Sequence, residues 1–276
     1  MKKKWSLGFS TAINLASTSW KEGEQPIGFQ YVELVAGYQP REDAQVREKC
    51  LKTYLEDMEH ATGQGLKVWS LHLPYGYDLD LTVEKEKSEE IFQNFAWYID
   101  KTIFMKPKCY VVHVFTWEPL ITPDRDVLLK RANQNIRRLA SYIAEKGAVL
   151  AVEALPRTNL GNVSAECLKM ISGTKAGICF DVNHMLLESH REFLEAAHPY
   201  IKTLHLSDYD FVDEKHWVPG DGDLNWKELA ELLEMYGYDG PLMFEAKFRK
   251  DGSMATLRDI REGFYKAIEG GERGLC

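Results

Sequence analysis

The strongest constraint on this chain is an alternation. Short apolar runs are followed by longer amphipathic segments, and the pair recurs eight times, at residues 5–10, 30–36, 66–73, 109–114, 148–153, 176–181, 200–206 and 240–246. Several runs (CYVV, AVLAV, GICF) are apolar without a break, which is the pattern of parallel strands covered by helices on their outer side. Between them, a polar stretch through Glu24 has room for a short helix. Pro40 and Arg41 open a helix carrying Val46, Cys50, Tyr54 and Met58 at helical spacing, stopped by Gly63 and Gly65. Thr82 is expected to cap a helix running to about Met105, and further helices are expected over 124–146, 164–172, 185–198, 225–236 and 253–268. With no linker, low-complexity tract or charge block, residues 1–276 read as a single (β/α)8 barrel domain, whose usual size is about 250 residues. A doubly wound open sheet is the alternative, but the glycine-rich first turn it commonly uses does not follow residues 5–10.

Composition removes several classes of function. A formal net charge of −8 argues against non-specific binding to nucleic acid or to an anionic membrane, and no apolar run is long enough to span a bilayer. The cysteines, Cys50, Cys109, Cys167, Cys179 and Cys276, are scattered and without metal-ligand spacing. A reducing, cytoplasmic setting is therefore expected. Lys2-Lys3-Lys4 resembles the start of a signal peptide, but Ser6, Gly8, Ser10, Thr11 and Asn14 interrupt the apolar stretch behind it, and that segment reads better as the first strand.

The positions of the ionisable residues carry the functional signal. Glu33, His72, His113, Glu153, Asp181, His205 and Glu245 all fall at the ends of successive strands, and in a barrel those ends share the face where active sites are built. Taken singly each has a bland reading; Asp181, for instance, is well placed to cap a following helix. Together they would repel or desolvate one another without a cation or substrate. Glu153, Asp181, His205 and Glu245 come from adjacent strands, and three carboxylates with one imidazole suit one divalent ion such as Mn²⁺, Mg²⁺, Co²⁺ or Zn²⁺. Such an ion polarises a carbonyl and acidifies the neighbouring C–H, leaving Glu153 and Glu245 to move the proton as base and acid.

The segments AVEALPR (151–157), FDVNHM (180–185), TLHLSD (203–208), PGDGDLNW (219–226) and MFEAKF (243–248) resemble the xylose isomerase-like barrel superfamily of sugar isomerases and epimerases, among them tagatose/psicose 3-epimerases and hydroxypyruvate isomerase. The resemblance implies Glu153, Asp181, His205 and Glu245 as metal ligands. It makes Glu153 and Glu245 an acid/base pair acting through an enediolate. It gives His184 a substrate hydroxyl to bind and Arg157 a substrate-orienting or supporting role. It also departs from the epimerases, which carry an arginine on the loop after the seventh strand; here SDYDFVDEKHWVPGDGD has none, and Lys215 and His216 are the nearest candidates. More distantly, the superfamily includes endonuclease IV-type enzymes with three zinc ions. Their additional ligand positions have counterparts in His72, His113, His184, His216 and Asp213 or Glu214. A lyase acting on a keto-sugar and a non-catalytic sugar-binding barrel are further alternatives.

The expected partner is a small-molecule sugar, with no nucleic acid or membrane, and self-association into a homo-oligomer is left open. His72, His113, His184, His216 and Arg157 are candidates for substrate contact. So are Trp20 and Trp117, which with Tyr75, Tyr77, Phe115, Tyr209, Trp217 and Phe248 fall in loops beyond strand ends, where rings can stack on the C–H face of a sugar or pack on one another. The dispersed cations Arg41, Arg157, Lys215, Lys247 and Arg249 favour a neutral sugar over a phosphate.

Overall fold

The computed structural model describes residues 5–12, 17–39, 43–114 and 125–270. Eight parallel strands, β1 (Leu7–Ser10), β2 (Tyr31–Val35), β3 (Lys67–His72), β4 (Cys109–Val112), β5 (Val149–Glu153), β6 (Gly177–Asp181), β7 (Ile201–His205) and β8 (Leu242–Phe244), pair in sequence order, with β8 also beside β1. The last seam closes just beyond β7. There Leu206 N–H donates to the Met243 carbonyl and Glu245 N–H donates to the Leu206 carbonyl, each at 2.9 Å. The helices are α1 (Ser17–Lys21), α2 (Ala44–Gly63), α3 (Lys85–Thr102), α4 (Arg125–Glu145), α5 (Ser164–Ile171), α6 (His190–Ala197), α7 (Trp226–Met235) and α8 (Leu257–Glu269). The chain is a single (β/α)8 barrel. Among the described residues no helix is long and apolar enough to cross a membrane.

Residue alternation along the strands separates two interiors. Leu7, Phe9, Val32, Leu34, Tyr110, Val112, Leu150, Val152, Ile178, Phe180, Leu204 and Phe244 belong to the large cluster between sheet and helices. Cys109, Val111, Ala151 and Cys179 form a separate, smaller cluster packed against Trp69 and Val149. Side-chain period two sends these two sets to opposite faces, so the second set fills the barrel itself. Cys109 and Cys179 thus pack as small apolar residues; burial pushes both thiols well up. Cys50 and Cys167 are likewise buried thiols rather than halves of a disulfide.

The helices dock through the stripes that their spacing implies. On α4, Leu129, Ala132, Ile136, Leu139, Ala140 and Ile143 are buried, the i, i+3, i+4, i+7 pattern of one apolar face. Capping boxes at Ser189/Glu192 and Thr256/Asp259 fix the starts of α6 and α8. One expected cap is elsewhere. Thr82 is buried and its N–H donates to Asp80 Oδ1 at 2.6 Å, closing a turn, while α3 begins three residues later. Pro40, Arg41 and the start of the 124–146 helix lie outside the described residues. Asp43 accepts from the N–H groups of Gln45 and Val46 and caps α2.

The Phe180 ring of β6 stacks on Phe193 of α6 with centroids 4.6 Å apart, and neither ring is exposed. Phe193→Ala is expected to lower unfolding free energy by about 3–5 kcal/mol, read from denaturant midpoints at unchanged slope.

Candidate metal centre and active site

Strand register assembles the site. β6 and β7 pair with Asp181 opposite His205, and β5 pairs with β6 with Glu153 opposite Cys179. Glu245 follows β8 by one residue, on the chain segment held by Leu206. The four expected ligands thereby converge. His205 Nδ1 faces Glu245 Oε2 at 3.3 Å, Glu153 Oε1 at 3.5 Å and Asp181 Oδ2 at 3.8 Å.

Two of these atoms are the test of whether an ion fits. Asp181 uses Oδ1 to accept from Asn183 N–H at 2.8 Å, capping a 3₁₀ turn over residues 182–184, so the bland capping role is met by one oxygen. Its Oδ2 is buried and makes no in-line hydrogen bond among the described residues, with only the charge contact of His184 Nδ1 at 3.3 Å, and His205 Nδ1 likewise makes no hydrogen bond. Buried polar atoms left unpaired are costly and uncommon. Here the orphans point at one another across a gap bordered by two glutamates. A hard or borderline divalent cation matches that donor set.

The environment drives the two glutamates apart. Burial disfavours ionised Glu153, but His113 and His205 outweigh it and hold its carboxyl well below the usual range. For Glu245 burial prevails, reinforced by Asp181 and Glu153 against His205, and its pKa rises to about 8. Two carboxyl groups separated in this way are suited to opposite ends of a proton transfer.

Around this centre lies a ring of histidines. Glu153 Oε2 accepts from Nε2 of His72 at 3.0 Å and of His113 at 3.1 Å. Burial alone would lower the pKa of His72, but Glu153 and Glu33 raise it; for His113 burial prevails and the pKa falls. His184 has both ring nitrogens engaged, Nδ1 with the Ala154 carbonyl at 2.8 Å and with Asp181 Oδ2 at 3.3 Å, and Nε2 with Glu214 Oε2 at 3.1 Å. Burial opposes its charge, yet Asp181, Glu214 and Glu153 push its pKa up to about 10. An imidazolium tied down in this way braces the site rather than reaching freely for a substrate hydroxyl. Of the two acidic candidates on the loop after β7, Glu214 meets His184, whereas Asp213 meets Arg157 at 2.7 Å. Arg157 also contacts Glu214 at 3.0 Å, from a backbone with φ 57°, the left-handed region that non-glycine residues seldom occupy.

The long loop after β7 is ordered by a buried carboxylate that residue order alone does not single out. Asp208 accepts from the N–H groups of Tyr209, Gly220 and Leu224 and from Trp226 Nε1, gathering both ends of the loop onto one side chain. A side chain at Gly222 would collide with Asp208 Oδ1 and the Tyr209 backbone, so that glycine makes room for the hub. The hub presents Glu214 and His216 to a cavity of about 800 Å³, also lined by His72, His113, Tyr75, Glu153, Arg157 and Glu245. Asp181 and His205 lie beneath its floor. That volume accommodates a monosaccharide.

The aromatic residues divide. Tyr75 lines the cavity with its ring 4.2 Å from that of His113. Trp20 does not: it sits in α1 with no exposure, packs on Phe9 and His60, and donates Nε1 to Gln64. It serves the core under α1 and α2, because the short helix in that polar stretch turns the ring inward rather than toward the cavity. Tyr209 is buried with its hydroxyl donating to the Met185 carbonyl, and Tyr77 is exposed. Lys215 points to Asp210 at 3.5 Å and over Trp217, away from the cavity wall. Trp117 and Phe115 lie outside the described residues.

Glu214 provides a pH test. Its hydrogen bond to His184 leads the factors that lower its pKa from 4.5 to about 2. A depressed carboxylate stabilises the fold above its unfolded pKa and loses that contribution as pH falls toward the folded value. Without added metal, Glu214→Gln is therefore expected to melt below wild type at pH 7, with the gap closing between pH 4.5 and 2. A gap independent of pH would contradict the pairing.

The model of xylose isomerase-like TIM barrels matches residues 25–266. A D-psicose 3-epimerase of Ruminiclostridium cellulolyticum is 25% identical over 153 residues, covering 51% of this chain and 50% of that protein, so the alignment spans half of the curated relative's length. Among solved structures, a D-tagatose 3-epimerase-like protein superposes with a TM-score of 0.75 at 21% identity, covering 96% of this chain and 98% of that one. An IOLI protein with a bound zinc atom superposes with a TM-score of 0.74 at 16% identity, covering 98% and 100%. At such identities the structures speak for the fold, and the family model speaks for descent. The chain belongs to the xylose isomerase-like TIM barrel family.

Proposed function

We propose that this chain is a divalent-metal-dependent sugar isomerase or epimerase. The observation that carries the reading is the buried convergence of Glu153, Asp181, His205 and Glu245 on two unpaired atoms, Asp181 Oδ2 and His205 Nδ1. The D-psicose 3-epimerase relative supports the reaction class. When bound, the ion polarises the substrate carbonyl and so acidifies the adjoining C–H. Glu153 and Glu245 lie on either side of the site. An ionised glutamate removes the proton from that carbon, and a protonated one on the other face returns a proton to the resulting enediolate. Tyr75 and His113 wall the cavity, and Arg157, His216 and His72 complete its lining.

The lining favours an uncharged substrate. Glu153, Glu214 and Glu245 face the cavity, and Arg157 is already compensated by Asp213 and Glu214. Among the described residues of the lining, a phosphate would meet these carboxylates with Arg157 already paired and Lys49 as the remaining basic side chain. A neutral ketose or keto-sugar fits better.

A second reading rests on a specific observation. His72, His113 and Glu153, and separately His184, Glu214 and His216, each bring ligand atoms within 4.8 Å, so the cavity has the donors for more than one ion. That is the arrangement expected of a zinc-dependent endonuclease of the endonuclease IV type. The net charge of −8 counts against a DNA substrate.

In D₂O, the Mn²⁺- or Co²⁺-loaded protein is expected to place deuterium on the carbon next to the carbonyl of a neutral ketose from a ketose panel, with the epimer or aldose accumulating, as followed by proton NMR. Glu153→Gln and Glu245→Gln should fold normally and lose exchange by at least about 10²-fold. Full activity in either variant would remove the acid/base assignment. Close to three zinc ions per chain with cleavage of abasic-site DNA would establish the second reading instead.

A further inference from the structure

Below the strand ends, inside the barrel, lies a carboxylate that the proposed reaction does not use. Glu33 of β2 has no exposure, and its Oε2 accepts from Ser70 Oγ at 2.6 Å. Its Oε1 is 2.9 Å from His205 Nε2, and neither atom has an in-line hydrogen-bond partner among the described residues. The neighbouring interior positions Cys109, Val111, Ala151 and Cys179 show what the barrel interior accepts when only filling is needed. A carboxylate buried there against one hydroxyl is costly for a packing role alone.

His205 is therefore faced by Glu33 at Nε2 and by Glu153, Asp181 and Glu245 at Nδ1. A neutral imidazole offers a lone pair on one nitrogen only, and the hydrogen bond made by the other decides which. We propose that Glu33, steadied by Ser70, is a positioning residue that keeps the proton of His205 on Nε2 and so turns the Nδ1 lone pair toward the ion. The inference rests on the metal site proposed above. A register shift between Val32 and Glu33 in the pairing of β2 with β3 is what brings Glu33 opposite Ser70.

The test is Co²⁺ titration of metal-free protein, read by calorimetry and by the visible Co²⁺ band, with the wild type first and circular dichroism as the folding control. Glu33→Leu is expected to weaken Co²⁺ binding by about 10–100-fold, the usual effect of losing a ligand's supporting partner, and to alter the band. Glu33→Gln, which keeps an acceptor oxygen for Nε2–H, is expected to retain the wild-type band and most of the affinity. Should Glu33→Leu fail to fold, Ser70→Ala is read in its place, with a smaller weakening expected. A folded Glu33→Leu with wild-type affinity and band overturns the inference. So does a Gln variant as weak as the Leu variant, or, where Leu does not fold, a Ser70→Ala variant with wild-type affinity. A wild-type chain that binds no ion removes the metal site itself, and this inference with it.

Discussion

The wide end of this barrel is governed by the cost of holding carboxylates out of water. Asp181, His205 and Glu245 bring ligand atoms within 4.8 Å of one another, and Glu153 borders the same gap. Two like charges at about 5 Å repel by about 3 kcal/mol at an effective dielectric of about 20, more than a typical net hydrogen bond of about 1 kcal/mol returns. Without an ion, the protein lessens that repulsion by protonation: Glu245 is pushed up to about 8 and His184 to about 10. A divalent cation held by these residues, as proposed, would supply the same neutralisation and would give Asp181 Oδ2 and His205 Nδ1 the partner that no hydrogen bond among the described residues supplies. The chemistry proposed for the site stems from that one electrostatic demand.

The scaffold answers it in layers. Outward-facing strand residues build the apolar core that anchors the helices, and inward-facing small residues fill the barrel beneath the site. The strand ends bear Glu153, Asp181, His205 and Glu245, the proposed ligands, and Glu33 and Ser70 lie against His205 from below. Above, the Asp208 hub keeps the longest loop in one shape, so Glu214 can reach His184 and Asp213 can reach Arg157. The ion pairs of Asp213 and Glu214 with Arg157 neutralise an arginine of the cavity lining, so the same loop sets part of the charge that the cavity presents.

Much of this was legible from residue order, because a barrel converts strand-end position into spatial convergence. The eight alternations, with an acidic residue or a histidine near the ends of seven of the runs, suffice to place Glu153, Asp181, His205 and Glu245 together. What escaped was whatever depends on depth or on partners distant in sequence. Glu33 reads as one more strand-end residue, yet β2 runs on to Val35 and the Glu33 side chain meets Ser70 and His205 inside the barrel. Trp20 reads as a loop aromatic, but α1 turns it into the core. His184 reads as a hydroxyl binder until Ala154 and Glu214 are seen to occupy both of its nitrogens. The role of Asp208 rests on four donors spread from Tyr209 to Trp226, which no local pattern announces.

The most direct test of the central claim is an anomalous-difference map from a crystal grown with Mn²⁺ or Zn²⁺, collected at the metal's absorption edge. The account predicts a principal peak bounded by Glu153, Asp181 Oδ2, His205 Nδ1 and Glu245. A map with no peak there, or with density confined to His184, Glu214 and His216, would contradict it.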